Sequence, residues 1–225
     1  MGTHDGHRDR LKSRFCEFGL DTFNDINVLE LLLFFSIPRR DTNEVAHRLL
    51  NHFGSLDKVF NASVYELVEV PGVGMNSAVL ITFIHQLIKK IEVSKTKDIK
   101  TISNSRQAAD FFIPRYVNEQ DEVLLMLCLD NARRIIACIE IAKGTVNSLE
   151  VNLKRVIEIA LKHKACSVII SHNHPGGTLS FSIEDDVFTK EVYKALHQVS
   201  ILLEDHIIVA QDQYFSFADS GVLRM

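Results

Sequence analysis

Two histidines that could bind a metal ion lie close together in the carboxy-terminal half of the sequence. His172 and His174 are separated by one residue and follow the short apolar segment CSVIIS (166–171). Residues two apart in a strand project to the same side, so both imidazoles are aimed at one point. Pro175 and the two glycines after it are expected to end the strand. The segment therefore presents two nitrogen ligands at the end of a predicted strand.

Asp185 is a third candidate ligand, in a helix predicted over 182–199. Ser182 and Asp185 have capping-box spacing, which by itself could explain both residues. However, Asp185 shares the core-facing side of the helix with an apolar stripe, where an unpaired carboxylate is costly. That stripe consists of Phe188, Val192, Ala195, Leu196 and Val199. Two imidazoles and one carboxylate, with a position left for water, are typical of catalytic zinc. The pattern predicts one Zn²⁺ per chain, bound by His172, His174 and Asp185.

Hydrolysis at such a site also needs a carboxylate that takes and returns a proton. Glu122 opens the apolar segment EVLLMLCLD (122–130), and Glu140 lies in the next apolar segment, RRIIACIEIA (133–142). Glu122 could instead be a charge that discourages edge pairing of the strand, and Glu140 could simply face solvent. The residues alone leave both carboxylates open as the general base.

The elements around these residues predict an α/β domain with a central sheet and flanking helices. The predicted order is a hairpin, a helix, the strand before His172, a second helix and a closing hairpin around Asp212. The corresponding ranges are 122–142, 150–163, 166–171, 182–199 and 207–217. The turn at Asp130–Asn131 separates the first two strands. We place this domain at residues 103–225.

The first part of the chain has a different character. Residues 1–92 are predicted to form an all-helical domain of about five helices, because apolar residues recur at helical spacing between capping and breaking residues. The polar segment 93–102 is predicted to be a linker. Within VEVPGVGMNSAVL (68–80), which resembles a helix-hairpin-helix, Gly72 and Gly74 allow a tight turn whose N–H groups suit a phosphate. The alternative is a glycine turn that merely joins two helices.

The charge, the cysteine pattern and the lengths of the apolar segments limit the classes of function that we expect for this protein. The first 100 residues carry as many basic as acidic side chains, so the net charge of −4 falls on the remainder. Strong general binding of nucleic acid is therefore not favoured. The four cysteines form no C-x-x-C pair and are expected to be small buried residues in a reducing compartment. No segment has the length of a membrane span or the pattern of a signal peptide, so we expect a cytoplasmic protein.

The site motif and several other segments resemble known families. H-x-H, seven residues and then S-x-x-D resembles the JAMM signature of MPN-type metalloproteases, with His172, His174, Ser182 and Asp185 in its positions. Further segments resemble the RadC family over nearly the whole chain: HNHPGG (172–177), DHIIV (205–209), GHRDRL (6–11), ELLLFFSIPRRD (30–41), FGSL (53–56) and LDN (129–131). The loop differs, because RadC proteins usually read HNHPSGDPTPS where this chain reads HNHPGGTLSFS. The differing residues include Gly176, Thr178, Leu179 and Phe181.

The resemblance implies a JAMM/MPN-like, cytidine-deaminase-like fold and a zinc metallopeptidase that acts on a peptide or isopeptide bond. It favours Glu122 as the general base, since JAMM enzymes place a Glu at the start of the first core strand. It also implies that Ser182 donates a hydrogen bond to the oxyanion. His206 is either a residue that orients a ligand or a core histidine.

Two other function classes compete with the metallopeptidase. One is a DNA-associated repair or recombination factor with a structural metal, which contacts the DNA backbone through Gly72 and Gly74. The other is a metal-dependent nuclease, which a single ligand set disfavours because phosphodiester cleavage commonly uses two metals. Apolar strands at a sheet edge would also permit a homodimer.

Overall fold

The computed structural model describes residues 5–144 and 153–223. The chain divides into two compact units, residues 1–88 and 89–225. Within the described ranges, no helix combines the length and the apolar character that crossing a bilayer requires.

The first unit is helical. Its helices are α1 (Asp5–Phe18), α2 (Asp25–Ser36), α3 (Asn43–Phe53), α4 (Leu56–Asn61), α5 (Val64–Glu69) and α6 (Met75–Ser94), the last of which continues into the second unit. The local signals are those expected of helix ends: Gly54 adopts a left-handed conformation after α3, and Ser63 forms a capping box with Glu66 at the start of α5. The short helix α4, capped by Ser55, was not predicted. The core contains Leu29, Leu33, Leu49, Leu67 and Ile81.

The turn between α5 and α6 contains two glycines, Gly72 and Gly74, and its backbone conformation requires glycine at only one of these positions. Gly72 has a φ of +96°, and a Cβ there would lie 2.9 Å from Val45 Cγ2. Gly74 has no such restriction, because an added Cβ would meet nothing within 4 Å. Its carbonyl accepts hydrogen bonds from the N–H groups of Ser77 and Ala78 in the first turn of α6. Gly72 therefore serves the backbone geometry of this turn.

The second unit is built on one mixed sheet. Its strands are β1 (Glu122–Leu129), β2 (Ile135–Gly144), β3 (Ser167–Asn173), β4 (Leu202–Ala210) and β5 (Gln213–Ser216), in the order β2-β1-β3-β4-β5. Only the β3–β4 pair is parallel. The predicted α/β class with a mixed central sheet is confirmed.

The central strands β1 and β3 are buried on both faces of the sheet. Helix α7 (Ser105–Phe112), which was not predicted, packs Phe111 and Phe112 against alternate β1 residues that include Leu125 and Leu127. The intervening β1 residues face α8 (Leu153–Lys162) and α9 (Ile183–His197), and the core on that side includes Leu124, Met126, Val156, Val192 and Leu196. Such two-sided burial explains why β1 is a continuous apolar segment. Residues 150–152 of the helix predicted over 150–163 lie outside the described residues.

The segment 93–102 was predicted to be a polar linker between the two domains, and it contains both helical and bridged residues. Helix α6 continues to Ser94, and Thr101 forms an isolated bridge with Arg134. Ile102 is fully buried in the core beneath α7. The segment therefore belongs to the second unit, and its polar composition concealed a few core contacts.

Candidate metal centre

The end of β3 positions both histidines. The two Nε2 atoms of His172 and His174 lie 2.9 Å apart. His172 is buried in the strand, and the N–H of His174 donates to the carbonyl of Val209 at 2.8 Å, which extends the pairing with β4. The structure therefore brings the two imidazoles to one point, as the spacing predicted.

Asp185 reaches the same point from the first turn of α9 and serves the helix as well. Its Oδ2 accepts hydrogen bonds from the backbone N–H and the hydroxyl of Ser182, both at 2.7 Å. Its Oδ1 lies 3.2 Å from His172 Nε2. The capping interpretation and the ligand interpretation are thus compatible, because each uses a different carboxylate oxygen.

The surroundings keep Asp185 ionised. Burial by itself would raise its pKa, but the His172 imidazole and the two hydrogen bonds from Ser182 outweigh burial and hold the pKa well below its ordinary value. The side chains of His172, His174 and Asp185 are only 6%, 16% and 12% exposed. A mostly buried carboxylate beside two imidazoles favours a cation between them.

These three side chains fit a zinc ion. Ligand atoms about 2.0–2.1 Å from a tetrahedral zinc lie about 3.3 Å from one another. The observed separations are 2.9 Å between the two Nε2 atoms and 3.2 Å between His172 Nε2 and Asp185 Oδ1. His174 Nδ1 lies 2.7 Å from the carbonyl of Thr178, which can only accept, so Nδ1 carries the hydrogen and Nε2 of the neutral ring is bare. A bare nitrogen is what a metal requires.

The two candidate bases are placed differently. Leu124 pairs with His172 in the β1–β3 ladder, so Glu122 lies on the same face of the sheet, two residues further along β1. Burial raises the pKa of Glu122, His172 and His174 oppose this, and Asp185 adds to it. Glu140 is exposed and pairs with Leu125, whose side chain belongs to the opposite face. The structure therefore brings Glu122, and not Glu140, towards the candidate ligands.

Asn173, between the two histidines, holds the backbone on both sides of Glu122. Its Oδ1 accepts from the N–H of Val123 at 2.7 Å, and its Nδ2 donates to the carbonyl of Asp121 at 3.0 Å. Because Asn173 projects to the opposite side from the histidines, one strand segment supplies the ligands and also fixes the start of β1. This role was not predicted, and the one sequence signal for it was an amide side chain between two candidate ligands.

Ser182 and His206 are also at the site. The Ser182 hydroxyl accepts from the N–H of Asp185 at 3.0 Å and donates its proton to Asp185 Oδ2. His206 is fully buried on β4, with Nε2 located 2.8 Å from His172 Nδ1. Thr189, one residue after Phe188 in α9, contacts the other nitrogen of His206 and was also missed.

The altered loop adds an aromatic contact at the rim of the site. The Phe181 ring packs against Phe215 and Phe217, with centroid distances of 5.3 Å and 5.1 Å, and remains 37% exposed. Thr178 contributes its carbonyl to His174, so its changed side chain does not alter that contact. The loop differences therefore leave the ligand geometry in place.

Comparisons with known proteins agree with this architecture. The family described as the RadC-like JAB domain matches residues 102–222. A UPF0758 protein of Fusobacterium nucleatum is 32% identical over 225 residues, which cover 97% of this chain and 97% of that protein. A UPF0758 protein of Acinetobacter baylyi is 29% identical over 217 residues, covering 96% of this chain and 80% of that protein. The resemblance inferred from the motifs is confirmed, and the chain belongs to the RadC family.

Proposed function

We propose that this chain is a zinc-dependent metallopeptidase that hydrolyses a peptide or isopeptide bond. The observation that carries the proposal is the convergence of His172, His174 and Asp185 from two different elements. Glu122 lies on the same face of the sheet, two residues along β1 from Leu124, which pairs with His172. Membership of a JAB-domain family supports this chemistry.

Each residue has a distinct role in the proposed reaction. His172, His174 and Asp185 would hold the Zn²⁺ ion. When bound, the ion would supply Lewis-acid chemistry, which lowers the pKa of a water molecule to about 7 and polarises a carbonyl group. Glu122 accepts a proton from the attacking water and returns it to the leaving amine, a task that its raised pKa suits. Ser182 turns its hydroxyl from Asp185 to the developing oxyanion.

The first test is the zinc content of the purified, tag-free chain. We expect about one Zn²⁺ per chain, because the ligand set matches that of a catalytic zinc site. Zinc should be absent from a His172→Ala, His174→Ala double variant, since one carboxylate cannot hold the ion alone. Elemental analysis measures both, and a screen of peptide and isopeptide substrates then tests cleavage.

A matched control comes from histidines outside the site. A His163→Ala, His197→Ala double variant removes the same number of imidazoles and should keep its zinc. If the wild-type chain binds no zinc when it is offered under reducing conditions, the proposed function is wrong.

A second candidate function is a DNA-associated role in repair or recombination, and one feature of the first unit favours it. Gly72 and Gly74 line an open groove together with Arg39, Arg40 and Arg48. Arginine side chains next to backbone N–H groups at a helix start could contact phosphates. Asp41 and Glu44 line the same groove, so the expected binding is weak.

Duplex DNA titrated into the full chain tests this role. The expected dissociation constant is about 10⁻⁴–10⁻⁶ M at physiological salt, as for non-specific binding. An Arg39→Ala, Arg40→Ala double variant should lower the salt dependence by about two phosphate contacts. An Arg106→Ala, Lys162→Ala variant removes equal charge from the second unit and should bind as the wild type does. Equal weakening by both variants would contradict a role for the groove.

A further inference from the structure

A path of hydrogen-bonding atoms leads from the His172 ring to the backbone of Asp185 through two buried residues. His172 Nδ1 lies 2.8 Å from His206 Nε2, and His206 Nδ1 lies 2.6 Å from Thr189 Oγ1. Thr189 Oγ1 in turn lies 2.6 Å from the carbonyl oxygen of Asp185. His206 and Thr189 are 0% and 1% exposed, so solvent does not compete for these contacts. The path joins two of the three candidate ligands.

The direction of each hydrogen bond follows from the carbonyl end of the path. A carbonyl only accepts, so the Thr189 hydroxyl donates its single proton to Asp185. Thr189 Oγ1 therefore accepts from His206 Nδ1, which must carry a hydrogen. The other nitrogen of a neutral imidazole is bare, so His206 Nε2 accepts from His172 Nδ1. His172 is left with a bare Nε2, the atom that faces His174 and Asp185.

The environment of His206 supports this assignment. Its ring stacks on Phe217 with a centroid distance of 4.8 Å and an interplanar angle of 16°, and Phe188 packs against its edge at 6.2 Å. His206 is fully buried, and its two ring nitrogens contact an imidazole and a hydroxyl rather than a carboxylate, so a charged ring would be costly there. An uncharged ring has a single N–H, and the aromatic packing holds the ring in one orientation. Each hydrogen bond of the path is consequently donated in the same sense, from His172 towards the carbonyl of Asp185.

We propose that His206 and Thr189 are positioning residues that hold His172 in the tautomer with hydrogen on Nδ1 and so direct its bare Nε2 at the metal. Neither residue reaches the ligand atoms of the site, and both act through His172. The proposal rests on the proposed zinc site and deepens it. His206, the histidine of the DHIIV segment, thereby acquires a defined role, and so does Thr189, which no sequence motif had indicated.

The test compares two substitutions at Thr189 in the full chain. Thr189→Val removes the hydroxyl at nearly constant volume, whereas Thr189→Ser keeps it. Zinc affinity, measured by competition with a chromogenic chelator, is expected to fall about 10-fold in Thr189→Val. This is the lower end of the loss caused by removing a direct partner of a ligating histidine, because Thr189 acts on His172 through His206. Thr189→Ser should bind zinc as the wild type does. Equal affinities in the two variants would overturn the proposal.

Ring nitrogen spectra test the tautomers without any metal. In long-range proton–nitrogen correlations of the zinc-free wild type, we expect His206 to carry its hydrogen on Nδ1. In Thr189→Val, hydrogen should move towards Nε2, while circular dichroism of the two variants stays alike. Hydrogen on Nε2 in the wild type would overturn the proposal. A wild-type chain that fails to bind zinc contradicts the metallopeptidase instead, so the two failures are distinguishable.

Discussion

Replacing Glu122 by Gln is expected to lower turnover by about 10²- to 10⁴-fold, the usual contribution of a general acid–base. The amide keeps the size of the side chain but cannot take a proton from water. Zinc should stay bound at the wild-type level, because Glu122 is not among the converging ligands. The measurement is turnover of a peptide or isopeptide substrate identified with the wild-type chain, together with elemental analysis of the variant.

Glu140 provides the matched control for this experiment. The same Glu→Gln change on an exposed residue of β2, opposite Leu125, should leave turnover unchanged. Full activity in Glu122→Gln would remove Glu122 from the mechanism. A loss of activity only in Glu140→Gln would show that the base had been assigned to the wrong strand.

Replacing Asp205 by Ala is expected to lower the free energy of unfolding of the second unit by about 3 kcal/mol. Asp205 Oδ1 accepts from the N–H groups of His206 and Ala218 at 2.7 Å and 2.9 Å, and Oδ2 accepts from the Ser216 hydroxyl at 2.6 Å. Burial raises the pKa of Asp205, although these hydrogen bonds oppose it. Truncation would leave buried donors without an acceptor, which costs more than the bonds contribute on average.

Asparagine at the same position separates hydrogen bonding from charge. In Asp205→Asn the amide oxygen can still accept from both backbone groups, and the Ser216 hydroxyl can reorient, so the expected cost is about 1 kcal/mol. The chain has no tryptophan, so urea denaturation would be followed by far-ultraviolet circular dichroism. Hydrogen exchange of β4 amides would assign the loss to the second unit. Equal effects of Ala and Asn would contradict the hydrogen-bonding explanation.

The parts of the site that depend on local spacing could be predicted from sequence. The alternation of His172 and His174 and the helical position of Asp185 need only the periods of a strand and a helix. The helical first unit and the mixed sheet were likewise predictable, because caps and apolar periods mark their elements. Ile102 was not, since the polar segment around it hides a single core contact. Helix α7 was also not predicted, although its apolar residues Ala108, Ala109, Phe111 and Phe112 share one buried face.

The supporting residues could not be predicted because their partners are distant in the chain. Asn173 meets Val123 only through the register of β1 against β3, and Thr189 meets His206 only when α9 packs on β4. The sequence shows a capping box at Ser182 and Asp185. It does not show that Oδ2 of Asp185 accepts the capping hydrogen bonds while Oδ1 faces His172. Such contacts follow from tertiary packing, which spacing along the chain does not encode.

Side chains alternate between the two faces of the sheet along β3, and this alternation limits which changes of sequence the protein can tolerate during evolution. His172 and His174 face the candidate ligands, while Asn173 faces the start of β1. Inserting or deleting a single residue between Ser167 and His174 would exchange the two faces of the strand. The imidazoles would then face the core that contains α7, and the amide would face Asp185. Substitutions in β3 can accumulate one at a time, but a change in its length would remove the site in one step.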